Sequence, residues 1–256
     1  MKIWADFHTH TRYSHGSGTI RDNVEAAVKK GLRVIGISDH GPATIGVGPD
    51  LDDFKKMREE IESLKEEYKN ITILLGCEAN VISLDGRLDM PERVLDELDY
   101  VMVGLHPLVW TKTFKDGYRI LFENFVARYL DQIKPKVLEQ NTRALINAIK
   151  NYRVDIITHP GLHLPIDTGA LAEAAASCRT AMEINAGHGY MTEEYVKIAK
   201  SYGVKFAIGS DAHSPKKVGE LKRGIEIALE AGLSELDILN AGRNQEVSLW
   251  RKISSL

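Results

Sequence analysis

The sequence Asp6-Phe7-His8-Thr9-His10 follows the first apolar run of the chain. Side chains alternate between the two faces of a β-strand, so His8 and His10 would lie side by side on one face. A second pair with the same spacing, Asp211-Ala212-His213, follows the last apolar run at 206–210. If the first and last strands of one barrel carry these pairs, closure of the barrel would bring the two halves of a metal site together.

Length and composition are typical of a soluble globular protein. A length of 256 residues is ordinary for an α/β barrel and is enough to bury a large core. The net charge of −3 gives no electrostatic footprint for a nucleic-acid backbone. Two distant cysteines, Cys77 and Cys178, predict reduced thiols. Because the chain has neither a signal-peptide pattern nor a long apolar run, we expect a cytoplasmic protein without membrane or long nucleic-acid partners.

Apolar runs alternate with helical periodicity along the chain. Thr19 and Asp22 have the spacing of a capping box, which predicts a helix from there to Gly31. Seven strands are predicted, at 2–5, 33–38, 71–77, 99–105, 155–158, 181–185 and 206–210. This alternation predicts βαβ units, a parallel sheet and one domain over 1–256, closed by a helix at 234–253.

Histidines or carboxylates stand at the C-terminal ends of six of the seven predicted strands. In parallel barrels, function gathers at those ends. The candidate metal ligands are His8, His10, His15, His40, Glu78, His106, His159, Asp211 and His213. A lone histidine is more simply a hydrogen-bonded residue beneath a loop. Crowded imidazoles, however, would repel when protonated and lack partners when neutral, and bound metals resolve both problems.

The motifs around these residues resemble the PHP (polymerase and histidinol phosphatase) family. They are His8-x-His10, Asp39-His40-Gly41, Gly76-Cys77-Glu78-Ala79-Asn80, Gly104-x-His106, Thr158-His159-Pro160 and Ser210-Asp211-x-His213. Asp85-Gly86 and Ile238-Leu239-Asn240 are similar to the small stand-alone phosphatase branch. The resemblance implies a distorted, TIM-like (β/α)7 barrel with a metal site at the C-terminal ends of its strands.

The resemblance also implies three divalent metal ions. The implied ligand sets are His8, His10, Glu78 and Asp211 for the first ion, Glu78, His106 and His159 for the second, and His15, His40 and His213 for the third. Many imidazoles favour zinc, with manganese or iron as alternatives. Three divalent ions, two carboxylates and one hydroxide leave about +3, which suits a phosphate monoester dianion.

The expected reaction is attack of a metal-bridging hydroxide on phosphorus. Glu78, Asp211 and His213 are the expected catalytic residues. Arg12, Asn185 and His188 are candidate substrate contacts, although solvated loop contacts are the simpler interpretation.

Several neighbours of these residues have weaker assignments. Asp6 and Asp39 could orient an imidazole through its other nitrogen or make ordinary polar loop contacts. His163 follows His159 at a spacing of four, but the intervening Pro160 and Gly161 indicate a loop, so His163 stays outside the set.

Residues 108–133 are predicted to form a helical insertion with aromatic residues at helical spacing. The simpler interpretation is an added helix that packs its aromatic stripe on the barrel. The functional interpretation is a lid over the site, with Lys112, Lys115 or Arg119 meeting an anionic substrate.

Other activities remain open at this stage. Histidinol-phosphate phosphatase differs only in the leaving group, and a phosphodiesterase or exonuclease acting on nucleotides is a further alternative. A structural metal-binding module is disfavoured because no ligand position is lost, and amide hydrolysis normally shows a different ligand set. The sequence leaves the oligomeric state undecided, including whether Trp250 packs on the barrel or on a second subunit.

Overall fold

Short strands alternate with helices throughout residues 1–242, the part of the chain that the computed structural model describes. Strands β1 to β8 are Ala5–Asp6, Val34–Ile37, Thr72–Leu75, Glu78–Asn80, Met102–Gly104, Ile156–Ile157, Ala181–Asn185 and Phe206–Gly209. Helices α1 to α9 are Ile20–Lys29, Leu51–Glu67, Glu92–Glu97, Phe114–Gly117, Asn124–Ala127, Lys134–Asn151, Thr168–Cys178, Glu193–Lys200 and Lys222–Glu230. A π-helical stretch, Tyr118–Glu123, connects α4 to α5. None of the helices within these described residues is long and apolar enough to cross a membrane.

The strands form two parallel ladders in chain order, β1-β2-β3 and β4-β5-β6-β7-β8. Isolated parallel bridges link the ladders at both junctions, between His40 and Glu78 and between Thr9 and Ala212. This arrangement confirms the distorted α/β barrel predicted from the sequence. All the C-terminal strand ends lie on one side, which we call the barrel mouth.

One predicted strand is interrupted. The run at 71–77 breaks at Gly76 and Cys77 and resumes as β4, so Glu78 begins a strand instead of following one. Tyr100 explains the glycine at this break, because its ring occupies the space that a Cβ on Gly76 would need. The Tyr100 hydroxyl also donates a 2.6 Å hydrogen bond to the carbonyl of Phe7, which places this buried ring across the barrel interior.

The predicted helix at 234–253 is wrong where the structure describes it, and 243–253, with Trp250, lies outside the described residues. Only Glu235–Asp237 is helical, as a single 3-10 turn. The next residues form a turn at 239–240 instead of a helix, and Asn240 in this turn binds both β1 and β8. Its Nδ2 donates to the carbonyls of Ala5 and Ile208, at 2.8 Å each.

The start of the first helix, predicted from its capping residues, is confirmed. Thr19 caps α1 and Asp22 completes the capping box, as predicted. The segment 108–133 is largely helical, but the predicted packing of its aromatic stripe on the barrel is wrong. Its aromatic side chains are exposed, because the segment turns Ile120, Asn124 and Ala127 inward instead.

Candidate metal centre

The seven predicted imidazole ligands form one cluster at the barrel mouth. Neighbouring ring centroids lie 4.1 to 5.8 Å apart. Each ring comes from a loop that directly follows a different strand, except that His8, His10 and His15 all follow β1. The C-terminal strand ends therefore bring together residues more than 200 positions apart in the sequence.

Glu78 is the centre of the cluster. Its Oε2 lies 2.9 Å from His40 Nδ1, 3.4 Å from His8 Nε2 and 3.6 Å from His10 Nε2. Its Oε1 lies 3.0 Å from His159 Nε2 and 3.3 Å from His106 Nε2. Burial alone would raise the pKa of the Glu78 carboxyl, but the surrounding histidines outweigh it and hold that pKa well below its usual range.

The donor atoms fall into overlapping groups, each compact enough to hold an ion. The groups are His10, His15, His40 and His213; His8, His159 and Asp211; His8, His10 and Glu78; and His40, Glu78 and His106. The first group contains the three histidines of the implied third set and adds His10. His159 groups with His8 and Asp211, although its Nε2 also approaches Glu78.

Hydrogen bonds to the outer ring nitrogens fix how two of these imidazoles face the centre. His8 Nδ1 donates to Glu183 Oε1 at 2.7 Å, and His106 Nδ1 donates to Asn80 Oδ1 at 2.7 Å. The Asn80 amide is itself fixed, since its Nδ2 donates to Asp89 Oδ2 at 2.6 Å. Both Nε2 lone pairs therefore point inward, as neutral imidazole ligands require.

Several buried acceptors in the cluster have no hydrogen-bond partner among the residues that the structure describes. They are His10 Nδ1, His40 Nδ1, His106 Nε2 and both oxygens of Glu78. His40 Nδ1 lies close to Glu78, but their alignment is not that of a hydrogen bond. Buried polar atoms without partners are costly, and cations would satisfy these converging lone pairs. The residues present fit divalent metal ions.

The histidines of the cluster differ in the direction in which their surroundings shift their pKa values. Burial opposes protonation of His8, but Glu183, Asp211 and Glu78 outweigh it and raise its pKa well above the usual value. Burial, with repulsion from His40 and His8, holds the pKa of His10 well below the usual value. Burial and the neighbouring His213 lower the pKa of His15 to about 4. His10 and His15 are thus neutral nitrogen donors at neutral pH, the form that binds metals.

Glu183 is a functional residue that the sequence reasoning missed. This buried carboxylate in β7 accepts from His8 Nδ1 and, at 2.9 Å, from the backbone N–H of His159. A side chain on Gly209 would overlap it, so this glycine makes room for the carboxylate. The signal was present, because β7 was the predicted strand without a ligand at its end and it carries an acidic residue within an apolar run.

Two predicted ligands have strained backbones. His159 has φ of 26° and Asp211 has φ of 53°, values in the left-handed region that non-glycine residues rarely adopt. Asn185 Nδ2 donates to Asp211 Oδ2 at 3.0 Å and holds that side chain in place. Such strain persists where the surrounding structure enforces it, and it clusters at functional sites.

The predicted substrate contacts occupy different environments. Asn185 is buried, and its Oδ1 accepts from the backbone N–H of His188 at 2.9 Å. His188 is exposed at the mouth, with Nε2 3.4 Å from Asp211 Oδ2. Arg12 is exposed on the loop that also carries His15. Their roles as substrate contacts stay predictions.

The two acidic neighbours do not orient imidazoles. Asp39 accepts from the hydroxyl and backbone N–H groups of Thr11 and Ser14, which shapes the loop before His15. Asp6 accepts from backbone N–H groups, including those of Ser210 and Gly219. The interpretation of both residues as polar loop contacts is the correct one.

His163 lies beside the site, although its spacing had placed it outside the ligand set. Its ring centroid is 6.1 Å from that of His159 and 6.1 Å from that of His188. Burial and repulsion from neighbouring histidines lower its pKa to about 4. All nine histidines of the chain therefore gather at the mouth.

Known proteins are similar to this chain over most of its length. A family model described as PHP domain matches residues 6–193. A probable phosphatase of Thermoanaerobacter sp. strain X514 is 36% identical over 250 residues, which cover 94% of this chain and 91% of the relative. A probable phosphatase of Acetivibrio thermocellus is 32% identical over 243 residues, which cover 91% of this chain and 89% of the relative.

Solved structures show a similar fold. The crystal structure of histidinol phosphate phosphatase from Lactococcus lactis subsp. lactis, complexed with zinc, L-histidinol and phosphate, matches with a TM-score of 0.62. The match covers 91% of this chain and 95% of that chain at 17% sequence identity. At that identity the likeness concerns the fold.

Proposed function

The chain belongs to the PHP domain family, and we propose that it is a metal-dependent phosphatase that hydrolyses a small phosphate monoester. The observation that carries the proposal is the set of buried ligand atoms around Glu78 that find no hydrogen-bond partner within residues 1–242. A cluster of imidazoles around a buried central carboxylate is suited to divalent cations, which take the place of protons on the ring nitrogens.

We place three divalent ions among the nine predicted ligands, with zinc favoured over manganese and iron. Glu78 is the residue shared between ions, because imidazole nitrogens approach both of its oxygens. His15, His40 and His213 hold the ion nearest the solvent, since His15 is exposed. His8, His10, His106, His159 and Asp211 supply the remaining ligands.

Divalent ions in this site would polarise a phosphoryl oxygen and lower the pKa of a water molecule to near neutrality, which supplies the nucleophile. The chain's own residues provide the geometry. Glu183 and Asn80 keep the Nε2 lone pairs of His8 and His106 directed at the centre. Asn185 keeps the strained Asp211 in position, and the exposed His188 and Arg12 are the residues we assign to contact the outer oxygens of a bound phosphate.

Charge selects the class of substrate. With the Glu183 carboxylate included, three divalent ions, three carboxylates and one hydroxide leave about +2. Such a site retains a phosphate monoester dianion more strongly than a diester with a single charge. The names of the relatives, probable phosphatases, support phosphate ester hydrolysis as the reaction.

The test is hydrolysis of a chromogenic phosphate monoester beside its diester and beside histidinol phosphate. The protein is first dialysed against a chelator, and zinc, manganese or iron is then restored while bound metal is counted by mass spectrometry. We expect monoester turnover that disappears with the chelator and returns with metal. Diester-only turnover would assign a nuclease-type activity instead, and inactivity at full metal loading would indicate a structural metal-binding module.

A further inference from the structure

The helical segment after β5 carries a row of exposed aromatic side chains. We call Phe114, Tyr118, Phe122, Phe125 and Tyr129 the aromatic stripe. Each is more than half exposed, and Phe114 is fully exposed. The rings of Tyr118 and Phe122 stack with centroids 5.2 Å apart, and those of Phe125 and Tyr129 meet edge to face at 5.6 Å. These contacts show that neighbouring rings share a face of the segment.

The opposite face of the segment is fixed to the barrel by polar contacts. Asn124 and Asn141 are buried and exchange two amide hydrogen bonds, of 3.0 and 2.8 Å. Asn141 also donates to the carbonyl of Pro165 at 2.9 Å, and Lys136 donates to the buried Glu123 at 2.6 Å.

This anchoring determines where a cover for the stripe must come from. Rotating the segment to bury its rings against the barrel would turn Asn124 away and leave the buried Asn141 amide without this partner, at a cost of roughly 1–3 kcal/mol. Within residues 1–242 the stripe has no cover of its own. Its partner must therefore come from outside this part of the chain.

The size of the stripe is that of a stable interface. With 150–250 Å² per aromatic side chain, the exposed portions amount to roughly 500–800 Å². The largest apolar patch on a typical monomer reaches only about 300–600 Å². A standard interface buries about 800 Å² on each partner. Leu108 and Trp110, which are also exposed and precede the aromatic stripe in the sequence, extend the apolar surface further.

The order of the rings favours a second copy of the same chain. Phe122 lies near the middle, with Phe114 and Tyr118 before it and Phe125 and Tyr129 after it. A two-fold axis at Phe122 would lay the first half of one stripe on the second half of the other. Self-complementary patches of this kind form isologous dimers, the commonest symmetric assembly.

We propose that the aromatic stripe is the interface of a homodimer in which two helical segments cross antiparallel at Phe122. The residues just before the stripe bind the loop after β2. The N–H of Trp110 donates to the carbonyl of Ala43 at 2.8 Å, and the N–H of Ile45 donates to the carbonyl of Leu108 at 3.1 Å. Because that loop follows His40 at the barrel mouth, the second subunit stands beside the mouth and limits the size of substrate that enters.

The experiment is sedimentation velocity of the full-length, metal-loaded protein from sub-micromolar to tens of micromolar concentrations. The wild-type protein should sediment as a dimer. Phe122→Asp and Phe125→Asp should each raise the dimer dissociation constant about 30-fold or more, the usual effect of losing a central aromatic anchor. The matched control is Leu236→Asp, which changes a side chain of 84% exposure far along the chain and should leave the dimer intact.

Circular dichroism and metal content establish that each variant is folded before its mass is compared. A wild-type monomer at every concentration overturns the proposal, and so does a dimer that the stripe variants leave unchanged. If that monomer co-sediments with phosphatidylglycerol vesicles, the stripe is a membrane-binding surface instead. The dimer stands apart from the proposed phosphatase activity, so failure of either can be seen without the other.

Discussion

The histidine cluster and the aromatic stripe both contain unsatisfied groups, but of opposite kinds. In the cluster, polar atoms such as Glu78 Oε1 and His106 Nε2 are buried without a hydrogen-bond partner among residues 1–242. In the stripe, apolar rings such as Phe114 are exposed, with no cover from the described part of the chain. A buried lone pair is satisfied by a cation, whereas an exposed aromatic ring is buried by contact with another apolar surface. The two regions therefore point to different ligands by the same reasoning about unsatisfied groups.

The regions also differ in how they are anchored. The cluster draws on loops spread from residue 8 to residue 213, and each ligand depends on the barrel to reach its neighbours. The stripe is a local feature of one segment, held from behind by Asn124 and Asn141. Substitutions in the cluster should thus reduce the phosphatase activity. Substitutions in the stripe should weaken dimer formation with little effect on the fold.

The largest effect is expected from Glu78→Gln. The amide removes the charge shared by five imidazoles, so turnover should fall by at least about 10³-fold, comparable to the loss of a strong electrostatic contribution to the transition state. Steady-state rates with restored metal, beside metal content and circular dichroism, measure it. Glu59→Gln, on the exposed surface of α2, is the control and should be unchanged. Activity retained by Glu78→Gln would refute the central role given to this carboxylate.

A smaller loss is expected from Glu183→Gln, which weakens the support of His8 without removing a ligand. Outer partners of metal-binding histidines are typically worth about 10–100-fold in metal affinity or activity. A chelator competition titration gives the affinity, with the exposed Glu173→Gln as its matched control. Wild-type affinity in Glu183→Gln would show that the barrel alone orients His8.

The anchoring of the aromatic stripe can be tested through stability. Asn141→Ala leaves the buried Asn124 amide without its partner and should lower the free energy of unfolding by about 1–3 kcal/mol. Phe114→Ala changes a fully exposed ring and should stay within about 0.5 kcal/mol at concentrations where the protein is monomeric. Urea denaturation of both variants makes the comparison. A larger loss for Phe114→Ala than for Asn141→Ala would mean that the segment packs the other way round.

The smallest effect concerns pH in the metal-free protein. His163 has a pKa of about 4 when folded, below the ordinary 6.5 of an unfolded chain, so the unfolded state binds more protons between these values. Stability should therefore rise with pH through that window. His163→Gln should reduce the slope of the unfolding free energy against pH. The change corresponds to less than one proton, because the unfolded state binds at most one proton more at this exposed side chain. Unfolding free energies above and within the window measure the slope, and an unchanged slope in His163→Gln would contradict the lowered pKa.

Sequence patterns predicted the fold and the position of the cluster because both rest on local signals. Each strand is an apolar run, and every candidate ligand except His15 lies within a few residues of the end of such a run, so a parallel barrel brings the ligands to one mouth. The break before β4 could not be predicted, because it depends on Tyr100, which precedes β5 and packs against Gly76.

The residues that were missed act through contacts between distant segments. Glu183 was overlooked because a single acid within an apolar strand gives no periodic signal, and only the barrel brings it to His8. The aromatic stripe has the spacing of a buried helix face, so helical periodicity predicted burial. Its direction is decided by the pairing of Asn124 with Asn141, which lies in α6 and is invisible to a local pattern.

Because a bridge between Thr9 and Ala212 joins the two ends of the barrel, the barrel can close only after most of the chain has been synthesised. A ribosome that adds about 5–20 residues per second needs roughly 10–40 seconds to pass from His10 to His213. Throughout that interval the nascent chain presents imidazoles whose partners have not yet been made. With Asp211 and His213 as proposed ligands, the metal centre can be completed only after the last strand has been made. The order of the proposed ligands along the chain thus makes completion of the centre a late step in the maturation of this protein.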